Sequence, residues 1–308
     1  MRIWRMGAVV LALIVALTGG ALPSRAQDGE APERDWGAVN DYIIQLQRAR
    51  VERIGKTAYD LVLTDIAISG NSRERVEQLR HSEGGPKLVV AYMSIGQAAN
   101  FQYYWQSGWT TGDPAWVGEP DGTWAGDFWV HYWDPAWQEI ILTGEDAYLD
   151  RIIDLGFDGV LLDRVDAATY YEEQGRETAY REMADFVIAI AEHARERSPD
   201  FGVFTINGED IALRFPDYMD AVTGILVEDL YYGYPRDHEP SPPEWTAERE
   251  RMLDRWVAAG KLVLTVDYTL RPEQIDDAYA RARARGYIPY CADRGLSRTL
   301  VHKGHEPD

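Results

Sequence analysis

Eight short apolar runs recur along the chain at spacings that leave room for a helix between most neighbours. They lie at Tyr42–Leu46, Leu61–Ile66, Leu88–Ile95, Gly159–Val165, Gly202–Asn207, Gly224–Asp229, Leu262–Asp267 and Tyr287–Ala292. Helical patterns fall near Arg48–Gly55, Ser72–Glu83, Trp137–Leu155, Glu177–Arg197, Asp210–Phe215, Glu244–Ala259 and Pro272–Arg285. Strands that alternate with helices pair in parallel, because each crossover carries the chain back to the same end of the sheet. Eight such units predict an α/β fold of one domain, a (β/α)8 barrel spanning residues 36–308.

The run GFDGVLLDRVD, Gly156 to Asp166, ends in two carboxylates, Asp163 and Asp166. In barrel enzymes a catalytic group stands at the C-terminal end of a buried strand. Other runs end in the same way, and strand alternation assigns a face to each. Taking the terminal polar residue as inward-facing groups Leu61, Leu63 and Asp65, then Val90, Tyr92 and Ser94. It likewise groups Val203, Thr205 and Asn207, then Leu226 and Glu228, then Val263, Thr265 and Asp267. These groups are expected to converge on one mouth, where crowded carboxylates hold their protons to higher pH. Asp163 and Glu228 stand on the fourth and sixth strands, and alternate strands feed the same barrel layer. A carboxyl pair of this kind suits glycoside hydrolysis, in which one group protonates the leaving oxygen and the other attacks or activates water.

Two stretches depart from an ideal barrel. The connection 96–136 is long and holds Trp105, Trp109, Trp116, Trp124, Trp129 and Trp133. A connection this long inside a compact domain is usually functional, so Trp105, Trp109, Trp124 and Trp133 are expected to include sugar-stacking groups. After Ala292 only a short tail remains, with no clear eighth helix.

The first residues show Arg2 and Arg5, an apolar run from about Gly7 to Leu17, and Ser24-Arg25-Ala26. This predicts a secretory signal peptide over 1–26 and a secreted or otherwise extracytoplasmic mature chain from Gln27, without stable membrane insertion. Residues 27–35 read as a disordered leader. The chain carries 31 basic and 51 acidic residues; the predicted signal holds three arginines and no acids, which leaves 28 against 51, a formal −23. Such a surface repels nucleic acid and attracts cations. Cys291 is the single cysteine, so no internal disulfide forms, and no Cys/His spacing indicates a metal site. No metal and no cofactor are expected. No G-x-S-x-G occurs, and His131 reads as a loop hydrogen-bonder rather than a base.

The succession YIIQLQ, YDLVLTDIAISG, KLVVAYMSIG, YYWQSGW, WVHYWDPAWQEII, GFDGVLLDRVD and GILVEDLYYG resembles glycoside hydrolase family 114, the barrels related to endo-α-1,4-polygalactosaminidases and spherulin-4. The resemblance covers roughly Trp36 to Asp293. It implies a secreted glycoside hydrolase that cleaves α-1,4-linked galactosamine-type polysaccharide, with Asp163 and Glu228 as the catalytic pair. A partly deacetylated polymer of that kind is cationic, in keeping with the acidic chain. Family members commonly carry a glutamate after the third-strand SIG, where this chain has Gln97. The expected substrate-binding set is Gln45, Asp65, Tyr92, Ser94, Gln97, Trp105, Trp124, Trp133, Asp166, Asn207, Asp267 and Asp293. A non-catalytic carbohydrate-binding barrel, or a glycosidase for another amino-sugar polymer, stays open, because fold does not fix reaction.

Overall fold

The computed structural model describes residues 34–308; the predicted signal peptide and most of the predicted leader lie outside them. Two residues assigned to the leader belong to the fold. Arg34 Nε donates to Asp158 Oδ1 at 2.8 Å and Arg34 Nη1 to Ser198 Oγ at 2.7 Å. Asp35 caps the short turn Trp36–Ala38 through Gly37 N.

Eight parallel strands form the central sheet: β1 (Tyr42–Gln45), β2 (Leu61–Asp65), β3 (Leu88–Ser94), β4 (Gly159–Asp163), β5 (Gly202–Ile206), β6 (Gly224–Glu228), β7 (Leu262–Asp267) and β8 (Ile288–Cys291). They pair in chain order, with helices between them, as a nearly closed (β/α)8 barrel. The helix Ala179–Arg197 shows how the outer layer holds: Met183, Phe186, Val187 and Ile190 recur on one face and are buried against the sheet. No described helix is long and apolar enough to cross a membrane.

Register fixes which side chains share a face, since residues level with one another on adjacent parallel strands point the same way. Ser94 lies beside Asp163, Tyr92 beside Asp65, and Leu63 beside Ile44. The inward assignment for β2, β3, β4 and β6 therefore holds. In β5 and β7 it is reversed. Leu161 pairs with Phe204 and Leu226 with Leu264, so Phe204, Ile206, Leu264 and Val266 face the interior, with Val203, Thr205, Val263, Thr265 and Asp267 on the outer face. A strand buried on both sides is apolar on both, and a terminal acid alone does not tell them apart.

The floor of the barrel needs glycine where three strands begin, at Gly159, Gly202 and Gly224. A Cβ on Gly202 would lie 2.3 Å from Trp36, whose ring packs edge-on against Phe204 at 5.3 Å between centroids. The N-terminal turn thus seals the bottom of the barrel with an indole.

The tail takes the place of the missing eighth helix and spans the seam between β8 and β1. Leu46 N and Gln47 N both donate to Leu296 O, at 3.0 and 3.1 Å, and Tyr59 Oη donates to Leu300 O at 2.9 Å. His302 Nε2 bonds Cys291 O at 2.8 Å.

The long third connection folds into its own small unit. Gln97–Ala99, Val117–Pro120 and Asp127–Val130 form an antiparallel sheet with Asp127–Val130 in the middle. Above it the indoles pack on one another: Trp105 stacks on Phe128 at 5.0 Å, and Trp116 meets Trp109 and Trp137 at 5.0 and 4.9 Å. The helix expected over Trp137–Leu155 is interrupted. A short helix Pro135–Gln138 widens into one looser turn over Glu139–Thr143, the backbone extends at Gly144, and the helix resumes at Tyr148–Asp154.

Candidate active site

The C-terminal ends of the strands open on a cleft of about 620 Å³. Asp163 ends β4 at its floor. Its Oδ2 accepts from the Tyr92 hydroxyl at 2.5 Å and its Oδ1 from the Arg164 backbone N–H at 2.7 Å. Tyr92 reaches it from the neighbouring strand because both residues face inward, two residues apart in register. Burial, and then the charge of Glu228, push the Asp163 carboxyl up to about 6.

Glu228 ends β6 on the same floor. Its Oε2 accepts from Asn207 Nδ2 at 3.0 Å, and its Oε1 accepts from the Tyr268 hydroxyl. Asn207 reaches this position through a turn with φ of 56°, a left-handed conformation that asparagine tolerates better than most residues. The turn brings Asn207 to the cleft although Val203 and Thr205, which share its strand alternation, face outward. Arg249 then fixes the group from behind. It is paired with Glu209, both buried, and donates to Asn207 Oδ1 at 3.0 Å and to the Glu228 carbonyl at 2.7 Å.

Other expected residues fall in two classes. Asp65, Tyr92, Ser94, Gln97, Trp124, Asp166 and Asn207 line the cleft with the pair. Asp65 accepts from Ala67 N at 2.8 Å, and burial raises its carboxyl; burial also raises Asp166. Gln97 donates to Asp121 Oδ2 at 2.6 Å, and Arg164 donates to the same oxygen at 3.0 Å.

Gln45, Trp105, Trp133, Asp267 and Asp293 lie off the cleft. Gln45 faces outward and spends its amide on the seam, donating to Ser297 O at 3.1 Å and accepting from Thr299 Oγ1 at 2.7 Å. Asp293 Oδ2 holds the tail turn through Ser297 N and Ser297 Oγ, at 3.2 and 2.8 Å. Asp267 sits outside the barrel and accepts from Tyr231 N and Tyr232 N, at 2.6 and 2.8 Å, so it braces the loop after β6. Burial pushes its carboxyl up to about 7. Trp105 belongs to the indole cluster, and Trp133 is packed edge-on against Tyr171 at 4.7 Å, with the Arg176 guanidinium 3.5 Å over its face. Trp124 remains 47% exposed on the cleft rim.

Several working parts carry no motif of their own. Tyr268, Arg164 and Arg294 line the cleft, and Arg294 pairs with Asp229 at 2.9 Å while lying 4.2 Å over the Tyr268 ring. Tyr268 was detectable in principle: it is the next inward residue after Val266 once the β7 register is set. Arg249 lies on the helix Pro243–Ala258, and only the folded chain brings it to Glu228. Among the described residues no group of His, Cys, Asp and Glu side chains has the arrangement of a metal site.

A fold of this kind recurs among known proteins. The glycoside hydrolase domain of PelA from Pseudomonas aeruginosa superposes with a TM-score of 0.67 at 19% identity, over 85% of this chain and 98% of that one. An uncharacterized protein of Thermotoga maritima is 35% identical over 284 residues, 87% of this chain and 85% of that protein. An uncharacterized protein of Deinococcus radiodurans is also 35% identical, over 272 residues, 86% of this chain and 84% of that protein. The family model of glycoside-hydrolase family GH114 matches residues 24–306, and the chain belongs to that family.

Proposed function

We propose that this glycoside hydrolase is an exported enzyme that cleaves α-1,4-linked galactosamine-type polysaccharide with Asp163 and Glu228. The observation that carries the reading is the shared floor: two carboxylates on alternate strands line one cleft, close enough for Glu228 to raise Asp163. With its proton leaving at about 6, Asp163 is ionised at neutral pH and serves as nucleophile or stabilises positive charge at the anomeric carbon. Glu228, held in place by Tyr268 and Asn207, takes the part of general acid toward the leaving oxygen, and the two roles are exchangeable within the pair.

The lining supports a cationic polymer. Asp65, Asp127, Asp163, Asp166 and Glu228 face the cleft against two guanidiniums, Arg164 and Arg294. Both guanidiniums are already paired, with Asp121 and with Asp229. A protonated sugar amine entering the cleft therefore meets uncompensated negative charge. The signal-peptide pattern over 1–26 supports export, and N-terminal sequencing of the mature protein is expected to begin at Gln27.

The decisive experiment is incubation of the purified protein with galactosamine polymers of defined acetylation, with products read by mass spectrometry. Oligomers of hexosamine mass are expected from the deacetylated polymer. Cleavage of neutral α-glucans alone would refute the substrate assignment, and no cleavage of any α-linked polymer would refute the enzymatic reading.

A further inference from the structure

Beside the main cleft, on the other side of Glu228, lies a second cavity of about 330 Å³. The two are continuous in chemistry, because Asp166, Asn207 and Glu228 line both. Each also has its own aromatic surface. In the main cleft Phe101 and Trp124 stand 76% and 47% exposed. In the second, Tyr234 is 48% exposed and stacks on Trp245, with ring centroids 5.1 Å apart and planes 27° from parallel.

This platform is rigid from below. The Arg249 guanidinium lies 4.4 Å from the Trp245 ring, and Arg249 is the residue that holds Asn207 and the Glu228 carbonyl. A ring seated on Tyr234 is thereby placed at a fixed height relative to Glu228. An exposed tyrosine face on a packed indole suits the apolar face of a pyranose, as aromatic rings favour flat C–H surfaces.

Charge completes the site. Of the carboxylates that line the cavity, Glu209, Asp210 and Asp229 are held by Arg249, Arg214 and Arg294. Asp166 and Glu248 also line it and form no ion pair among the described residues. Asp166 sits at the junction with the main cleft, and Glu248 lies one helical turn from Trp245.

Resting on the amino-sugar reading, we infer that this cavity is a second polymer-binding arm, in which Tyr234 stacks on a sugar ring and Glu248 pairs with its protonated amine. The polymer then runs from the Trp124 side across the Asp163–Glu228 floor and out over Tyr234. Cleavage then falls between the two arms.

The test uses the full exported chain with α-1,4-galactosamine oligomers of increasing length, each labelled at the reducing end, and reads kcat/KM and the position of the cut. Tyr234→Ala is expected to lower kcat/KM about tenfold for oligomers long enough to fill both arms, as loss of roughly 1.4 kcal/mol of stacking implies. It should leave the shortest cleaved oligomers unaffected and move the cut along longer ones. Tyr234→Phe should behave as the parent, and Glu248→Gln should weaken deacetylated oligomers more than N-acetylated ones. Tyr234 is exposed, so an unchanged melting temperature identifies the loss as one of binding. A parent that cleaves these oligomers while Tyr234→Ala matches it at every length would overturn the second arm and leave the amino-sugar reading standing. A parent that neither binds nor cleaves them would overturn both.

Discussion

Tyr92 holds Asp163 at 2.5 Å from β3, and Tyr268 holds Glu228 from the strand on its far side, so each carboxylate of the pair has its own phenol. The two contacts are equivalent in kind. A hydrogen bond to the charged form favours ionisation, and the Tyr92 hydroxyl accordingly lowers the Asp163 carboxyl against the upward push of burial. Activity that needs ionised Asp163 should rise with pH through about 6. Tyr92→Phe should shift that rise to higher pH and reduce kcat about tenfold, the worth of one bond to a charged group. A pH–rate profile on the parent and the variant checks both statements; a profile that falls through pH 6 would reverse the assigned roles.

Asp163→Asn and Glu228→Gln preserve shape and fold while removing the ionisable group. Each should reduce turnover by about 10²–10⁴-fold with little effect on binding, since general acid–base contributions lie in that range. Equilibrium binding of the polymer to both variants, set beside their rates, separates chemistry from recognition. Near-parent rates in both folded variants would remove the mechanism.

The tryptophans of the third connection should divide by burial rather than by position. Trp124→Ala should raise KM for polymer several-fold at unchanged melting temperature, because its ring stands on the cleft rim. Trp105→Ala should instead destabilise the fold with little change in KM, because its half-buried ring packs on Trp109, Trp116 and Phe128. Thermal melts and KM on the same two proteins decide the matter.

This division marks where the sequence was legible. Strand spacing, the acids that end β2, β4 and β6, and the alternation of Tyr92 with Ser94 all follow from period and position, and the barrel follows from them. The faces of β5 and β7 do not, since Thr205 and Thr265 are buried on the outer side as completely as Phe204 and Leu264 are on the inner. Gln45 and Asp293 were expected in the cleft, yet their partners Thr299 and Ser297 lie in a tail with no periodic signal. Arg249 was invisible for a related reason: its meaning lies in Glu209 and Asn207, about forty residues away.

Asp267 gives a pH dependence of stability with a definite sign. An ordinary aspartate loses its proton near 3.8, whereas in the fold the value is about 7. Between these values the unfolded chain ionises and the folded chain resists, so this group's contribution falls as pH rises from about 4 to about 7 and is constant above. Asp267→Asn keeps an acceptor for Tyr231 N and Tyr232 N and removes the buried charge. Its melting temperature should exceed the parent's at pH 8 and match it near pH 4. Melting curves across that range, with equal slopes in both proteins, would refute the assignment.

Gln97→Glu restores the residue common in related barrels and should be unfavourable here. The Gln97 amide donates to Asp121 Oδ2, so the new carboxylate would face an existing one. A loss of about 1–3 kcal/mol is expected at pH 7, recovered as the pH falls below 5. Denaturant titrations at pH 7 and 4.5 measure it.

The tail that spans the β8–β1 seam has a consequence for the order in which the molecule is made. A chain synthesised or threaded from its N-terminus presents β1 well before the groups that cover its free side, Leu296, Ser297 and Thr299, about 250 residues later. Until they arrive, the emerging sheet carries an open edge able to pair with another chain. Completion of the barrel therefore waits on residues about 250 positions downstream of β1, and β1 is best kept from pairing until they are free.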